Sequence, residues 1–121
     1  MVDLAQFHGK IVLLLFFADF SPPSMEAVAA VRRAARDWPK DAVQVVGISL
    51  DKSSAELAAT MTKENITWPV VFDGKGWMGD LPRSLGINTL PTVWLIDREG
   101  ILRSLDGLHG MTEQIQQLLG R

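Results

Sequence analysis

Hydrophobic residues fall in short blocks along this chain, and their spacing changes from block to block. Residues 11–18 (IVLLLFFA) are unbroken apolar sequence. A run this short, with no polar alternation, predicts a strand buried on both faces of a covered sheet. Ser21-Pro22-Pro23-Ser24 comes next. A serine ahead of proline is a helix-start signal: its hydroxyl can accept a first-turn N–H, and proline has no N–H to leave unpaired there. Val28, Val31, Ala35 and Trp38 then recur at helical spacing and predict a helix running to Trp38-Pro39. Residues 43–50 (VQVVGISL) predict a second buried strand, Ser53 or Ser54 starts a second helix to about Lys63, and residues 70–72 form a short third strand. Residues 73–86 are glycine-rich, with a short helix expected near 82–85. Residues 93–96 and 101–105 flank Asp97-Arg98-Glu99-Gly100, a hairpin turn in which Gly100 supplies positive φ. Residues 111–119 close the chain as a helix, with Thr112 or a nearby polar residue at its start.

The element order β-α-β-α-β-(α)-β-β-α carries topological information. Crossovers through helices require parallel strands, and the late hairpin makes the sheet mixed. The expected architecture is α/β, a three-layer α/β/α sandwich with a mixed central sheet and helices on both faces. With 121 residues the chain fits a single domain, 1–121, and shows no internal repeat, low-complexity tract or linker.

Composition narrows the function classes. Charged residues make up 21% and hydrophobic residues 47%, as in a globular domain. Twelve basic and fourteen acidic side chains give a net charge of −2, without the basic excess a nucleic-acid binder normally shows. The longest apolar run, residues 11–18, is well short of the roughly 20 residues that span a bilayer. It also lacks the basic flank of a signal peptide. There is no cysteine. Disulfides, thiolate metal sites and thiol chemistry are therefore closed to this chain.

Three segments, in order and at matching separations, resemble the TlpA/ResA-like branch of the thioredoxin-like superfamily. The first is residues 9–24 (GKIVLLLFFADFSPPS), similar to the branch's Gly-Lys, strand and Cys-Pro-Pro-Cys pattern with Ser21 and Ser24 at both cysteine positions. The second is residues 45–51 (VVGISLD), and the third is residues 86–100 (GINTLPTVWLIDREG), which looks like the branch's cis-proline strand and turn. The resemblance covers residues 9–119 and implies a thioredoxin-like fold whose ancestral activity is thiol–disulfide exchange with protein partners.

That chemistry needs its position. At a helix start, the dipole and free N–H groups stabilise a thiolate, and two intervening residues bring the second sulfur within reach to resolve a mixed disulfide. A serine hydroxyl forms no disulfide and is barely ionised at neutral pH, so the chain as written should be inactive in exchange. Without an adjacent base Ser21 is simply an N-cap. The two histidines, His8 and His109, are expected to be solvated surface residues outside any nucleophile motif. The resemblance also implies that Pro91 is cis and faces Ser21 and Ser24. The Leu90 main chain would then be able to pair with an extended substrate segment, in a groove with Phe20, Pro22, Pro23 and Thr92. A purely fold-shaping role for Pro91 carries equal weight with a retained groove.

Two histories account for the serines: replacement of both cysteines by design, or loss in the lineage. Leu15 stands where thioredoxin has a buried Asp, Phe20 replaces the usual Trp, and Ala27 stands where many branch members have Glu. Losing these groups favours natural loss, because a two-cysteine replacement would leave them in place. The resemblance implies an extracytoplasmic setting, protein or peptide partners near Ser21 and Pro91, and no cofactor or metal.

Two other patterns weigh less. Residues 74–79 (GKGWMG) satisfy G-x-G-x-x-G, but lie past mid-chain and open no full helix, so surface-loop turning is the simpler role. Asp19, Asp51 and Asp97 each follow a strand, which invites a phospho-acceptor or Mg²⁺ reading, but the terminal hairpin opposes a fully parallel sheet. Each Asp is expected to be a strand-exit or turn residue. Trp94 is expected in the core, and Trp68 and Trp77 near the Ser21 end of the sheet. Arg32, Arg33 and Arg36 are expected on a solvated helix face.

Overall fold

In the computed structural model, which describes residues 4–120 and all their side chains except those of residues 4, 5, 80 and 81, the expected elements appear in order. A 3-10 turn, Leu4–Phe7, precedes β1 (Ile11–Phe17), α1 (Pro22–Ala35), β2 (Val43–Ser49), α2 (Ser54–Lys63) and β3 (Val70–Val71). A second 3-10 turn, Gly76–Met78, leads to α3 (Asp80–Leu85), β4 (Thr92–Ile96), β5 (Leu102–Ser104) and α4 (Met111–Leu119).

The strands form one mixed sheet in the order β3-β2-β1-β4-β5. β1 pairs parallel with β2, and β3 parallel with β2. β4 runs antiparallel to both β1 and β5. β1 is the central strand, and every residue of it is buried. Its unbroken apolar sequence follows from that position, since both of its faces meet core.

The two faces are covered unequally. Odd-numbered β1 residues Ile11, Leu13, Leu15 and Phe17 pack with Val28 and Val31 of α1, Leu57 of α2, and Ile115 and Leu118 of α4. The β1–β2–β3 crossovers progress in one direction across the sheet, so right-handed connections put α1 and α2 on the same side. Even-numbered Val12, Leu14 and Phe16 face a thinner layer that includes Phe7, Ile87 and Leu90. Trp94 lies on this thinner side, edge-on to Phe16 at 5.6 Å between ring centroids. It is half-buried rather than fully in the core as expected, because no long helix covers it.

Other departures have local causes. α1 stops at Ala35 instead of reaching Trp38. The last turn tightens, with the Asp37 N–H bonded to the Ala34 carbonyl and the Trp38 N–H to the Ala35 carbonyl. Pro39 disfavours helical geometry in the residue before it, yet the Trp38 side chain still reaches the core. α4 is preceded by Gly110 at φ +63 without a side-chain cap, not by Thr112. Trp68 is buried beside Gly47, where a Cβ would come within 3.0 Å of its indole nitrogen, whereas Trp77 is partly exposed.

The glycine loop behaves as a surface loop. Gly74 and Gly76 adopt positive φ. Gly79 makes room for the Asp73 carboxylate, which would stand 2.6 Å from a Cβ there. Three separate steric demands account for the three glycines, with no long helix opened at the last.

Candidate functional site

Register brings three separate chain segments to one end of the sheet. Phe17 pairs with Ser49 across the parallel β1–β2 ladder, and Phe16 with Thr92 across the antiparallel β1–β4 ladder. The segment from Ala18 to Ser24, the turn after Ser49, and the approach to β4 through Leu90 and Pro91 therefore meet at this edge.

Ser21 is the N-cap of α1, as expected. Its φ/ψ of −112°/103° is extended, and its Oγ accepts the Ser24 N–H at 3.3 Å. Pro22 and Pro23 occupy the first helical positions and bring no donors. The first amide able to use the cap is therefore that of Ser24, and the Met25 N–H then takes the Ser21 carbonyl at 3.2 Å. Ser24 is fully buried, and among the described residues its Oγ has no hydrogen-bond partner. Phe20 is 58% exposed, Pro22 and Pro23 are exposed, and Ser21 is half-buried. The two hydroxyls thus sit at a helix start with the spacing that dithiol chemistry requires, the outer accessible and the inner enclosed.

Among the described residues no histidine is hydrogen-bonded to Ser21. His8 precedes β1 and lies at the opposite end of the sheet. His109 is exposed and pairs with Asp106 at 2.7 Å. That contact raises the His109 pKa and lowers that of Asp106, each through the mutual hydrogen bond first. Nucleophilic catalysis by Ser21 has no proton acceptor among the histidines.

Across from α1, the Leu90–Pro91 peptide is cis. Leu90, Pro91 and Thr92 are half-buried, and the Thr92 hydroxyl donates to the Thr89 carbonyl at 2.8 Å. Leu90 packs its side chain against the thinner core layer. Among the described residues no hydrogen bond engages its main-chain N–H or C=O. An unpaired main chain leaves its N–H and C=O available to hydrogen-bond partners. Trp77 and Met78, 39% and 65% exposed, belong to the 3-10 turn whose Gly76 abuts the Leu50 carbonyl, so they lie at this end too.

One feature of this edge is absent from the sequence expectations. Asp19 and Asp51 are strand-exit residues, as expected, but they also meet each other. Each lies just past its strand, and the parallel Phe17–Ser49 register carries them to matching positions. Asp51 is 1% exposed. Its Oδ1 accepts the Asp19 N–H at 2.8 Å, its Oδ2 accepts the Ser49 hydroxyl at 2.7 Å, and its own N–H donates to Ser49 Oγ at 3.1 Å. The Asp19 carboxyl is pushed up to about 6. The hydrogen bond to Asp51 is the main cause, followed by burial and the negative charges of Asp51 and Glu56, against a lowering contact from the Phe20 amide. The shared place of the two acids after parallel strands was the available signal. It becomes legible only once the register is known.

Asp97, the third strand-exit acid, is the turn residue expected. Its carboxylate accepts the Glu99 and Ile101 amides at 2.9 and 3.0 Å and the Arg103 Nε at 2.6 Å. Among the described residues no group of three or more His, Cys, Asp or Glu side chains could hold a metal ion, and no helix is long and apolar enough to cross a membrane.

Comparison with known proteins agrees with this geometry. A family profile described as the AhpC/TSA family matches residues 1–105. The thiol-disulfide oxidoreductase ResA of Bacillus thuringiensis subsp. konkukian is 24% identical over 119 residues, covering 98% of this chain and 66% of the relative. The thioredoxin-like protein YneN of Bacillus subtilis is 26% identical over 106 residues, covering 85% of this chain and 59% of the relative. The chain thus spans less than two thirds of these relatives' length. Among solved structures, a thiol-disulfide oxidoreductase from Bacteroides fragilis superposes with a TM-score of 0.83 at 26% identity, over 93% of this chain and 83% of that one. The thioredoxin domain of a Bacteroides vulgatus thiol-disulfide oxidoreductase gives 0.84 at 20% identity, over 96% and 84%, which speaks to fold alone.

Proposed function

Because the chain belongs to the AhpC/TSA family of thioredoxin-like proteins and carries serine at both candidate dithiol positions, we propose that it is a redox-inactive domain that docks extended polypeptide beside Pro91. Thiol exchange needs a sulfur that this chain lacks. Polypeptide docking needs only a shaped edge and an unpaired main chain. The observation that carries the reading is Leu90, whose N–H and C=O are unengaged among the described residues. Exposed Phe20, Pro22 and Pro23 stand across from it on the α1 side and supply apolar surface for alternate side chains of a bound strand.

In this reading Ser21 and Ser24 keep the structural half of their position: Ser21 caps α1, and Ser24 fills the enclosed site. The serines are natural, as the departures at Leu15, Phe20 and Ala27 favour. The domain acts as one module of a longer, extracytoplasmic protein, in keeping with the family resemblance and with relatives longer than this chain.

Extended peptides titrated into isotope-labelled protein test the reading. Amide shifts should concentrate at Leu90 and Thr92 and extend to Phe20 and Ser21. Silence at Leu90 and Thr92 across a broad peptide set would leave the domain a purely structural module. In the parent gene, cysteine codons at positions 21 and 24 would overturn the natural origin of the serines.

A further inference from the structure

We propose that a cavity between the first 3-10 turn and the β4–β5 turn binds a small monocarboxylate with an apolar body, the class to which simple aromatic acids belong. The cavity lies on the thinner face of the sheet, at the end opposite Ser21 and Pro91. It stands independently of the docking reading above.

The walls are built before any ligand arrives. Val12 of β1 and Ile96 of β4 are register partners, so their side chains share one face of the sheet, and both line the cavity with Phe7. All three belong to the thinner core layer, which no long helix covers. The 3-10 turn is closed onto the strand by the Lys10 N–H, which donates to the Phe7 carbonyl at 2.9 Å. Gly9, at φ +96, then donates its N–H to the Arg98 carbonyl at 3.0 Å and ties this wall to the β4–β5 turn. That turn is itself fixed, with the Gly100 N–H bonded to the Asp97 carbonyl at 3.0 Å and the Asp97 carboxylate holding the Glu99 and Ile101 amides. A site whose walls are held in this way loses little freedom when it is filled. His8 and Gly100 line the cavity and are exposed, so they mark its mouth.

Charge and size select the ligand. Lys10 lines the cavity, is half-buried, and forms no ion pair among the described residues. The acid in the lining, Asp97, is already offset by Arg103 at 2.6 Å. The turn's other acid, Glu99, is exposed and does not line the cavity. Arg98, in the same turn, forms no ion pair among the described residues, and its enclosed Nε has no hydrogen-bond partner there. The balance of charge at this wall is therefore positive, and a carboxylate is the complementary group. The imidazole of His8 can donate a second hydrogen bond at the mouth. The cavity volume is about 210 Å³. An apolar cavity of roughly 150 Å³ holds a benzene ring, so this one has room for a ring and a carboxylate but not for a larger ligand.

Phenylacetate titrated into the isotope-labelled intact chain at pH 7 is the test, with phenylacetamide as the uncharged isostere and inorganic phosphate as the anion without an apolar body. Saturating amide shifts are expected at Lys10, Val12, Ile96 and Gly100, with a Kd of about 1 mM or tighter for phenylacetate. Phenylacetamide and phosphate should each bind at least roughly fivefold more weakly. Lys10→Gln should weaken phenylacetate about fivefold and leave phenylacetamide unchanged, and Lys10→Arg should restore phenylacetate to within about twofold. A loss of both ligands in Lys10→Gln would show a structural role for Lys10 and overturn its assignment to the carboxylate. No saturable shift by about 20 mM phenylacetate, or shifts confined to Leu90 and Thr92, would overturn the site. Equal affinity for the acid and the amide would overturn the carboxylate, and equal affinity for phosphate would overturn the apolar body.

Discussion

Asp51 and Asp97 stand just past buried strands, at opposite ends of the same sheet, and the two ends treat an acid in contrary ways. Around Asp97 the turn supplies donors: two amides and the Arg103 guanidinium converge on one carboxylate and hold its pKa below the usual range, the Arg103 hydrogen bond contributing most. Around Asp51 the nearest ionisable neighbour is a second acid, Asp19, whose pKa is driven up. One end is a hairpin turn whose Asp97 carboxylate is well supplied with donors, although the buried Arg98 Nε beside it has no partner among the described residues. The other carries a raised Asp19 carboxyl and, among the described residues, an unpartnered Ser24 hydroxyl and an unpaired Leu90 main chain.

The contrast can be broken most heavily at the Asp97 end. Asp97→Ala removes three accepted hydrogen bonds and leaves the Arg103 side chain without its partner. The expected result is a loss of thermal stability, with Tm falling on the order of 5–10 °C in calorimetry. The pH dependence follows from the lowered pKa. Stability from Asp97 is fully present above the ordinary value of 3.8 and is lost as pH falls through the lower folded-state value. The variant should lose that acid-side slope.

A smaller effect of opposite sign is expected at the Asp19 end. Asp19 holds its proton more tightly in the folded protein than in the unfolded chain, because its folded value is raised from 3.8 to about 6. Stability therefore falls as pH rises through that window and levels off above it. Asp19→Asn should flatten this decline and leave the variant more stable than the unsubstituted chain at pH 7.5, by on the order of 1 kcal/mol after solvent screening. Denaturant melts at pH 4 and pH 7.5 check it. A variant less stable at pH 7.5 would show that the Phe20 contact outweighs the repulsion.

Much of this arrangement is legible in the chain. The unbroken apolar run of β1 marks the strand that is buried on both faces. Ser21-Pro22 marks the start of α1, and Ser53 proves to be the cap of α2, accepting the Glu56 amide. Gly100 marks the hairpin turn, with φ +84. These features depend on a few neighbouring residues, so local chemistry decides them. What the chain conceals depends on contacts distant in sequence. Trp94 stays half-buried because of what fails to cover its face, and nothing in its own neighbours reports that. The end of α1 at Ala35 reflects the tightening imposed by Pro39, while Trp38 keeps helical spacing and a core role. The Asp19–Asp51 contact exists only once β1 and β2 pair in register. Each acid alone reads as an ordinary strand exit.

The proposed reading of Ser21 and Ser24 is that they keep the spacing of a dithiol pair at the start of α1 without its sulfur. Restoring both thiols, with Ser21→Cys and Ser24→Cys together, tests it most directly. Thiol titration before and after mild oxidation should fall from two free thiols per chain to none, with the fold unchanged by circular dichroism. Two thiols that remain free in oxidising buffer on a folded protein would contradict the account, because the start of α1 would then not hold residues 21 and 24 within bonding reach.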